Sequence, residues 1–388
     1  MSLRWHASIE CLPPPVSPPS LPVRRTMRAM ESPSVNRMAW FASTLGILDP
    51  MRSPIQAVVP LGLHWPTLDP FLFCAHHRDE YPPGNANQGV DPSALAGRNV
   101  GSDFTLKDGW RMYHGREVPG FPQHPHRGFE TVTIARSGYI DHADSLGAQA
   151  RFGQGDVQWM TAGRGVVHSE MFPLVDATAD NPAELFQIWL NLPSTSKLVD
   201  PYFTMIWSDQ IATARHTDAA GHTTVVTVVA GALGAAQGAA TPPDSWAADP
   251  AHGVNIWTIR MEPGATWTLP ATEPNRSRVV YAYQTGGLSV AGQQSVSPAG
   301  FQVDPTAAIE IVNGADPTEL LLLEGQPIGE PVAQHGPFVM NTRAELATAF
   351  RDYERDHFGG WPWPSNGPVL PRAEGRFARH ADGRIERP

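Results

Sequence analysis

The chain of 388 residues carries 15 histidines, and four side chains stand at a spacing that metal chemistry can use. His124 and His126 are two positions apart in QHPH, and His168 and Glu170 repeat that interval in VHSEM. In extended backbone, residues i and i+2 leave from the same face. Two such pairs on neighbouring strands converge on one point. Three neutral imidazoles and a carboxylate suit a first-row divalent ion, Fe(II), Mn, Co, Ni, Cu or Zn, and the absence of thiolates argues against a soft-metal site. An octahedral ion held by four groups keeps two positions for water, a chelating substrate oxygen or dioxygen, which separates a catalytic centre from a closed structural one. The competing reading of the same spacing is two pairs of structural histidines.

The elements that must position these residues read as β-strands. From Val58 onward, short period-two segments recur between Gly, Pro, Asn and Asp clusters, the pattern of an antiparallel sandwich or barrel. In Phe129 to Arg136, Glu130, Val132 and Ile134 share one face, and Phe129, Thr131 and Thr133 the other. Leu185 to Leu192 alternates in the same way. Further strands are expected at Thr223 to Val229, Val254 to Met261 and Arg278 to Tyr283. One helix is expected after Asn341, where Thr342 and Glu345 form a capping box, Leu346, Phe350 and Tyr353 an apolar stripe, and Gly359-Gly360 a stop. The fold class is therefore all-β, with two barrels in tandem and a short C-terminal helix.

Four segments follow: a flexible Pro-rich leader over 1–54, a metal-binding barrel over 55–208, a second barrel over 209–364 and a flexible tail over 365–388. Met27, Met30, Met38 and Met51 within the leader leave a downstream start open. The tail carries Arg372, Arg376, Arg379, Arg384 and Arg387 with few apolar residues, which reads as a solvated end. The second half has no counterpart of the His-x-His pair: WTLPAT occupies Trp267 to Thr272 and His335 stands alone, so that barrel is expected without metal. His76 and His77, inside a polar stretch from Asp69 to Gly101, diverge if the segment is a strand and read as surface histidines.

Composition restricts the function classes. The formal net charge of −10 disfavours direct binding to nucleic acid or to an anionic membrane. Only Cys11 and Cys74 are present, so neither a disulfide framework nor a Cys-ligated zinc is expected. No apolar run approaches the roughly 18 residues of a membrane span, and the first fifty residues lack a signal-peptide core. A soluble, cytoplasmic protein is the expectation.

The segment from Phe121 through Met171, with FPQHPHRGFETVT, DSLGA and GDVQWMTAGRGVVHSEM, resembles the metal-binding cupin of the pirin family. The pieces EPVAQHGPFVMNTRAELATAF and DYERDHFGGW resemble the end of the C-terminal pirin cupin, so the likeness spans about Val58 to Trp363. The resemblance implies a bicupin, two double-stranded β-helix barrels, with a mononuclear iron held by His124, His126, His168 and Glu170. It also implies one of two roles. Some pirins open flavonols such as quercetin with dioxygen, in which case Glu170 is the candidate base as well as a ligand; others act as iron-dependent, redox-sensing partners of an enzyme or transcription factor. Metal coordination lowers a carboxylate's basicity, so the ligand-only role for Glu170 stays open. Because the pirin pattern uses the later glutamate, Glu130 falls to the second shell, where it would orient a histidine ring, or to an ordinary ion pair with Arg127 or Arg164. Gln158, Trp159 and Met160 are pocket candidates, with core packing as the alternative for the last two. The partners implied are a small aromatic or enolic substrate and dioxygen, or a protein, with neither nucleic acid nor membrane.

Overall fold

Alternation with one apolar face per strand requires sheets that pack face to face, and the chain satisfies this with two barrels. The computed structural model describes residues 53–284, 286–295 and 297–388; the expected leader, Ser53 and Pro54 apart, lies outside the described residues. The strands of the first half are β1 (Ile55–Pro60), β2 (His64–Trp65), β3 (Phe71–Tyr81), β4 (Gly120–His126), β5 (Phe129–Ser137), β6 (Tyr139–Asp144), β7 (Gln149–Gly153), β8 (Asp156–Thr161), β9 (Val166–Met171), β10 (Asn181–Asn191) and β11 (Tyr202–Ile206). One wall of the first barrel runs β11-β8-β5-β10-β3-β2, and the facing wall runs β7-β6-β9-β4. All the pairings are antiparallel.

The second barrel pairs a seven-stranded sheet with a four-stranded one built from Thr266–Leu269, Ile309–Val312, Leu288–Val290 and Gln293–Ser295. Its interior is filled by Val226, Val228, Trp267, Phe301, Ile309, Ile311, Leu320 and Leu322, among others, so the space where the first barrel keeps its histidines is packed with hydrocarbon. Between the barrels the large sheets pack against each other. Val132, Ile134, Trp159, Phe186 and Ile188 from one meet Ile256, Val279, Tyr281 and Leu321 from the other. Each such side chain, fully buried, contributes roughly 1.5–3 kcal/mol.

Helix α1 (Arg343–Asp356) begins at the expected capping box, with Thr342 accepting from the Glu345 amide and Glu345 reaching back to the Thr342 amide. It packs Leu346 and Ala349 against Phe338, Met340 and Val167, the last on the strand that carries His168. The helix thus braces the outside of the wall that carries His168.

Two of the expected boundaries are corrected. β1 belongs to the second barrel: it pairs with Ala299–Val303 and sinks Ile55 and Val59 into or beside that core. The chain therefore enters the molecule through its C-terminal barrel before building the N-terminal one. The tail over 365–388 is no loose end. Phe377–Arg379 pairs with β7 and Ile385–Glu386 pairs with it in turn, extending the first barrel's wall. The arginines that read as solvated mostly have partners: Arg372 donates to the carbonyls of Leu174, Val175 and Asn85, and Arg376 donates to Asp156 Oδ1 at 2.7 Å. Buried Arg151, bridged to Asp141, donates to the carbonyls of Leu370, Pro371 and Glu374. A buried cation needs acceptors, and the tail supplies them.

Candidate metal centre

β4 reads GFPQHPH, with two prolines that cannot donate to a ladder. It lies at the edge of its sheet, where that defect is tolerated, and the register slips between Phe121 and His124. This irregularity sets His124 directly opposite His168 on β9. The three imidazole centroids are 4.4 to 4.9 Å apart, and the candidate ligand atoms of His124, His126 and His168 all lie within 4.8 Å of one another.

The hydrogen bonding of these rings fits a cation. His124 Nδ1 lies 2.9 Å from the Pro122 carbonyl, which fixes the proton there and leaves Nε2 as a free lone pair. His126 Nδ1 and both ring nitrogens of His168 are buried without a protein partner. Burial holds His124 down to about 4 and depresses His126 and His168 well below the usual histidine range, so all three are neutral, as ligands must be. Buried nitrogens without a partner among the described residues cost free energy, and an ion bound by one nitrogen of each ring would remove part of that cost.

Glu170 shares the face of His168, with Oε2 3.8 Å from His168 Nε2. It stands just outside the three-histidine cluster. Thr133 Oγ1 is 3.2 Å from Oε1, and Gln187 Nε2 donates to Oε2 at 3.4 Å. Burial raises its carboxyl above the ordinary range, opposed by His142 and these hydrogen bonds. His142 is a residue the sequence reading missed. It lies across the ladder from Glu170, fully buried, its ring 5.4 Å from that of His168, with Nε2 3.3 Å from Asp144 Oδ2 and Nδ1 unpartnered. The signal was the i, i+2 pair His142 and Asp144 in a strand-like YIDHAD.

Phe129, fully buried, and Trp189, partly exposed, set their rings edge-on to His126. His124 is half-buried, next to a rim of Phe121, His114 and Phe104. Two clefts, of about 220 and about 310 Å³, lie elsewhere: one beside Tyr81, Gly138 and Leu174, the other beside Arg136, Arg215, Arg260 and Glu319.

The other sequence candidates separate by face. Gln158 is buried on β8 opposite Thr133, on the chamber side, with its Nε2 unpartnered. Met160 joins the first barrel's own core, while Trp159 points the other way into the interface between barrels. Glu130 requires correction. It faces away from the histidines, with Val132 and Ile134, and pairs with neither Arg127 nor Arg164. Its Oε1 accepts from Thr161 at 2.7 Å and its Oε2 from Ser245 of the second barrel at 2.5 Å. Glu130 therefore neither orients a histidine ring nor forms the expected ion pair, because it lies on the face of β5 that meets the second barrel. His76 and His77 are also not surface residues: His76 lies 2.9 Å from Glu184 Oε1, and His77 is buried against Tyr113. His335 is exposed at the end of a short strand that pairs with buried Phe338–Met340, beside Phe350.

A family model described as Pirin matches residues 92–190, and one described as the Pirin C-terminal cupin domain matches residues 256–359. Among curated proteins, one from Pseudomonas aeruginosa, provisionally named a quercetin 2,3-dioxygenase, is 35% identical over 243 residues, covering 62% of this chain and 79% of its own. Homo sapiens pirin is 33% identical over 248 residues, covering 62% and 78%. Among solved structures, a quercetin 2,3-dioxygenase from Acinetobacter baumannii superposes with a TM-score of 0.59 at 29% identity, covering 79% of this chain and 96% of that one. Among the described residues no helix is long and apolar enough to cross a membrane.

Proposed function

The chain belongs to the pirin family, with two cupin domains, and from that premise we propose that its first barrel is a metal-dependent dioxygenase acting on a flavonol-like or other small enolic or phenolic substrate. The observation that carries the reading is the convergence of three neutral imidazoles, with buried ring nitrogens that no described residue partners, at a cluster that meets the aromatic ring of Phe121 through His124. His124, His126 and His168 would hold the ion, with Glu170 as fourth ligand. Fe(II) is the proposed metal, with Mn, Co, Ni, Cu or Zn as chemically compatible occupants. When bound, such an ion supplies Lewis acidity toward a chelating enol and open positions for dioxygen.

The remaining work falls to this chain's own side chains. His124 is oriented by the Pro122 carbonyl. Glu170, steered by Thr133 and Gln187, would take the substrate's enolic proton on the carboxylate oxygen that it does not give to the ion. Phe121, His114 and Phe104 offer flat faces at the rim for an aromatic ring.

A second reading, an iron-dependent redox regulator that binds a partner protein, draws on two surface clefts that lie away from the histidines, beside Tyr81 and Leu174 and beside Arg136 and Arg260. One experiment separates the two. After anaerobic Fe(II) loading, oxygen uptake and quercetin loss are measured for the natural protein, His126→Ala and Glu170→Gln, with metal content recorded. Turnover lost in metal-poor His126→Ala supports the enzyme. One iron per chain with no uptake removes it in favour of the regulator.

A further inference from the structure

On β3, Ala75, His77 and Asp79 point into the same chamber as Gln187 on β10, because Gln187 pairs with Ala75 and Leu185 with His77. His77 is thus one diagonal step, roughly 7–8 Å between Cα positions, from the glutamine that touches Glu170. Its ring is 6.0 Å from Phe121, whose ring is 6.3 Å from His124. His77 therefore stands on the interior face that carries Gln187, two ring contacts from His124 by way of Phe121.

The hydrogen bonds around it fix which nitrogen carries the proton. Tyr113 Oη has one proton and two lone pairs. The proton goes to Asp79 Oδ2 at 2.6 Å. Arg111 Nη1 donates to the same hydroxyl at 3.4 Å and to Asp79 Oδ1 at 3.1 Å. The remaining contact, His77 Nδ1 at 2.9 Å, must then be a donor. Nδ1 is protonated, and Nε2 is left as a bare lone pair that no described residue occupies. Asp79, lifted by burial to about 6 against Tyr113 and Arg111, is anionic at neutral pH, and His77, held down to about 3 by burial and Arg111, is neutral. Tyr113 keeps its position at a φ of +56°, a backbone region a tyrosine rarely adopts, clamped by reciprocal amide bonds with Asp103. A strained residue held in place to orient a buried histidine is an arrangement that packing alone does not require.

We propose that Asp79, Tyr113 and Arg111 hold His77 as an acceptor for a phenolic hydroxyl at the far end of an aromatic substrate chelated at the histidine cluster. His77 is in this sense a specificity-determining residue, and the substrate class narrows to hydroxylated aromatics carrying a second hydroxyl remote from the chelating pair. This rests on the metal-centre reading given above. A site built to bond a hydroxyl rejects the analogue that lacks it far more strongly than an apolar wall does.

The test uses the full chain. With 15N-labelled histidine, the His77 tautomer is read by NMR in the metal-free protein and in Tyr113→Phe; a proton on Nδ1 in the former, no longer fixed there in the latter, is expected, and a proton on Nε2 in the natural protein overturns the proposal. Anaerobic binding to Ni(II)-loaded protein is then measured for quercetin and for 3-hydroxyflavone, which share the 3-hydroxy-4-keto chelating group and differ in the remaining hydroxyls, with the His77 variants separating the remote ones from any added chelation. Quercetin is expected to bind at least about 10-fold more tightly, with the ratio collapsing toward one in His77→Phe and retained in part by His77→Gln, whose carbonyl is also an acceptor. A ratio indifferent to both substitutions removes the role of His77 and leaves the dioxygenase standing. Binding without turnover in the Fe(II) form removes the dioxygenase and leaves the recognition intact, and no binding of either flavonol removes both.

Discussion

Replacing Glu130 by Gln separates two roles that the sequence alone had merged. Its carboxyl is fully buried between the barrels, and burial lifts it from 4.5 to about 7 against the hydroxyls of Ser245 and Thr161, with Asp244 adding to the rise. Between pH 4.5 and about 7 the folded protein holds a proton that the unfolded chain has released. The native state binds more protons there, so stability falls as pH rises through the window and levels off above it. At about 1.36 kcal/mol per pH unit, the total comes to roughly 3 kcal/mol. Glu130→Gln deletes this dependence. In urea unfolding followed by tryptophan fluorescence, the stability of the variant relative to the parent should rise by about that amount between pH 4.5 and 8. Metal affinity, measured by Ni(II) titration, should be unchanged, because Glu130 points away from the histidines. A stability difference that ignores pH would refute the desolvation argument. A 10- to 100-fold loss of metal affinity, the usual effect of removing a group that orients a ligand, would return Glu130 to the metal site.

Truncation after residue 364 should cost several kcal/mol, since buried Arg151 loses three carbonyl acceptors and Asp141 loses the Leu370 amide, each a charged hydrogen bond worth about 1.5–3 kcal/mol; an unaltered urea midpoint would contradict this. Chelation should lower the melting temperature of metal-loaded protein, with a loss of about 2.7 kcal/mol when the free metal stood at 100 times its Kd, and His126→Ala should show no such increment in a calorimetric scan with and without EDTA. Thr342→Ala removes the cap of α1 and should destabilise by about 0.5–2 kcal/mol; because the helix braces β9 from outside, circular dichroism melts should register the change with the three-histidine cluster still able to bind metal.

What the residues determined by themselves is whatever follows from short periods. The i, i+2 spacing of His124 with His126 and of His168 with Glu170 put each pair on one face before any fold was known, and alternation in β5 put Glu130 on the face of Val132 and Ile134 without saying which face meets the histidines. The capping box announced α1, and WTLPAT announced a second barrel with apolar side chains at that place. The tertiary structure decided what those faces meet, because a ladder fixes only neighbours, and the partners here are far apart in sequence. Ser245 reaches Glu130, the tail carbonyls reach Arg151, and β1 crosses to the sheet of Ala299–Val303. His142 was passed over, and His77 was read as a surface residue, for the same reason. A histidine's role depends on what stands across the barrel from it, and the pairing of β6 with β9 and the return of Tyr113 over β3 are products of chain closure, to which local periodicity carries no pointer.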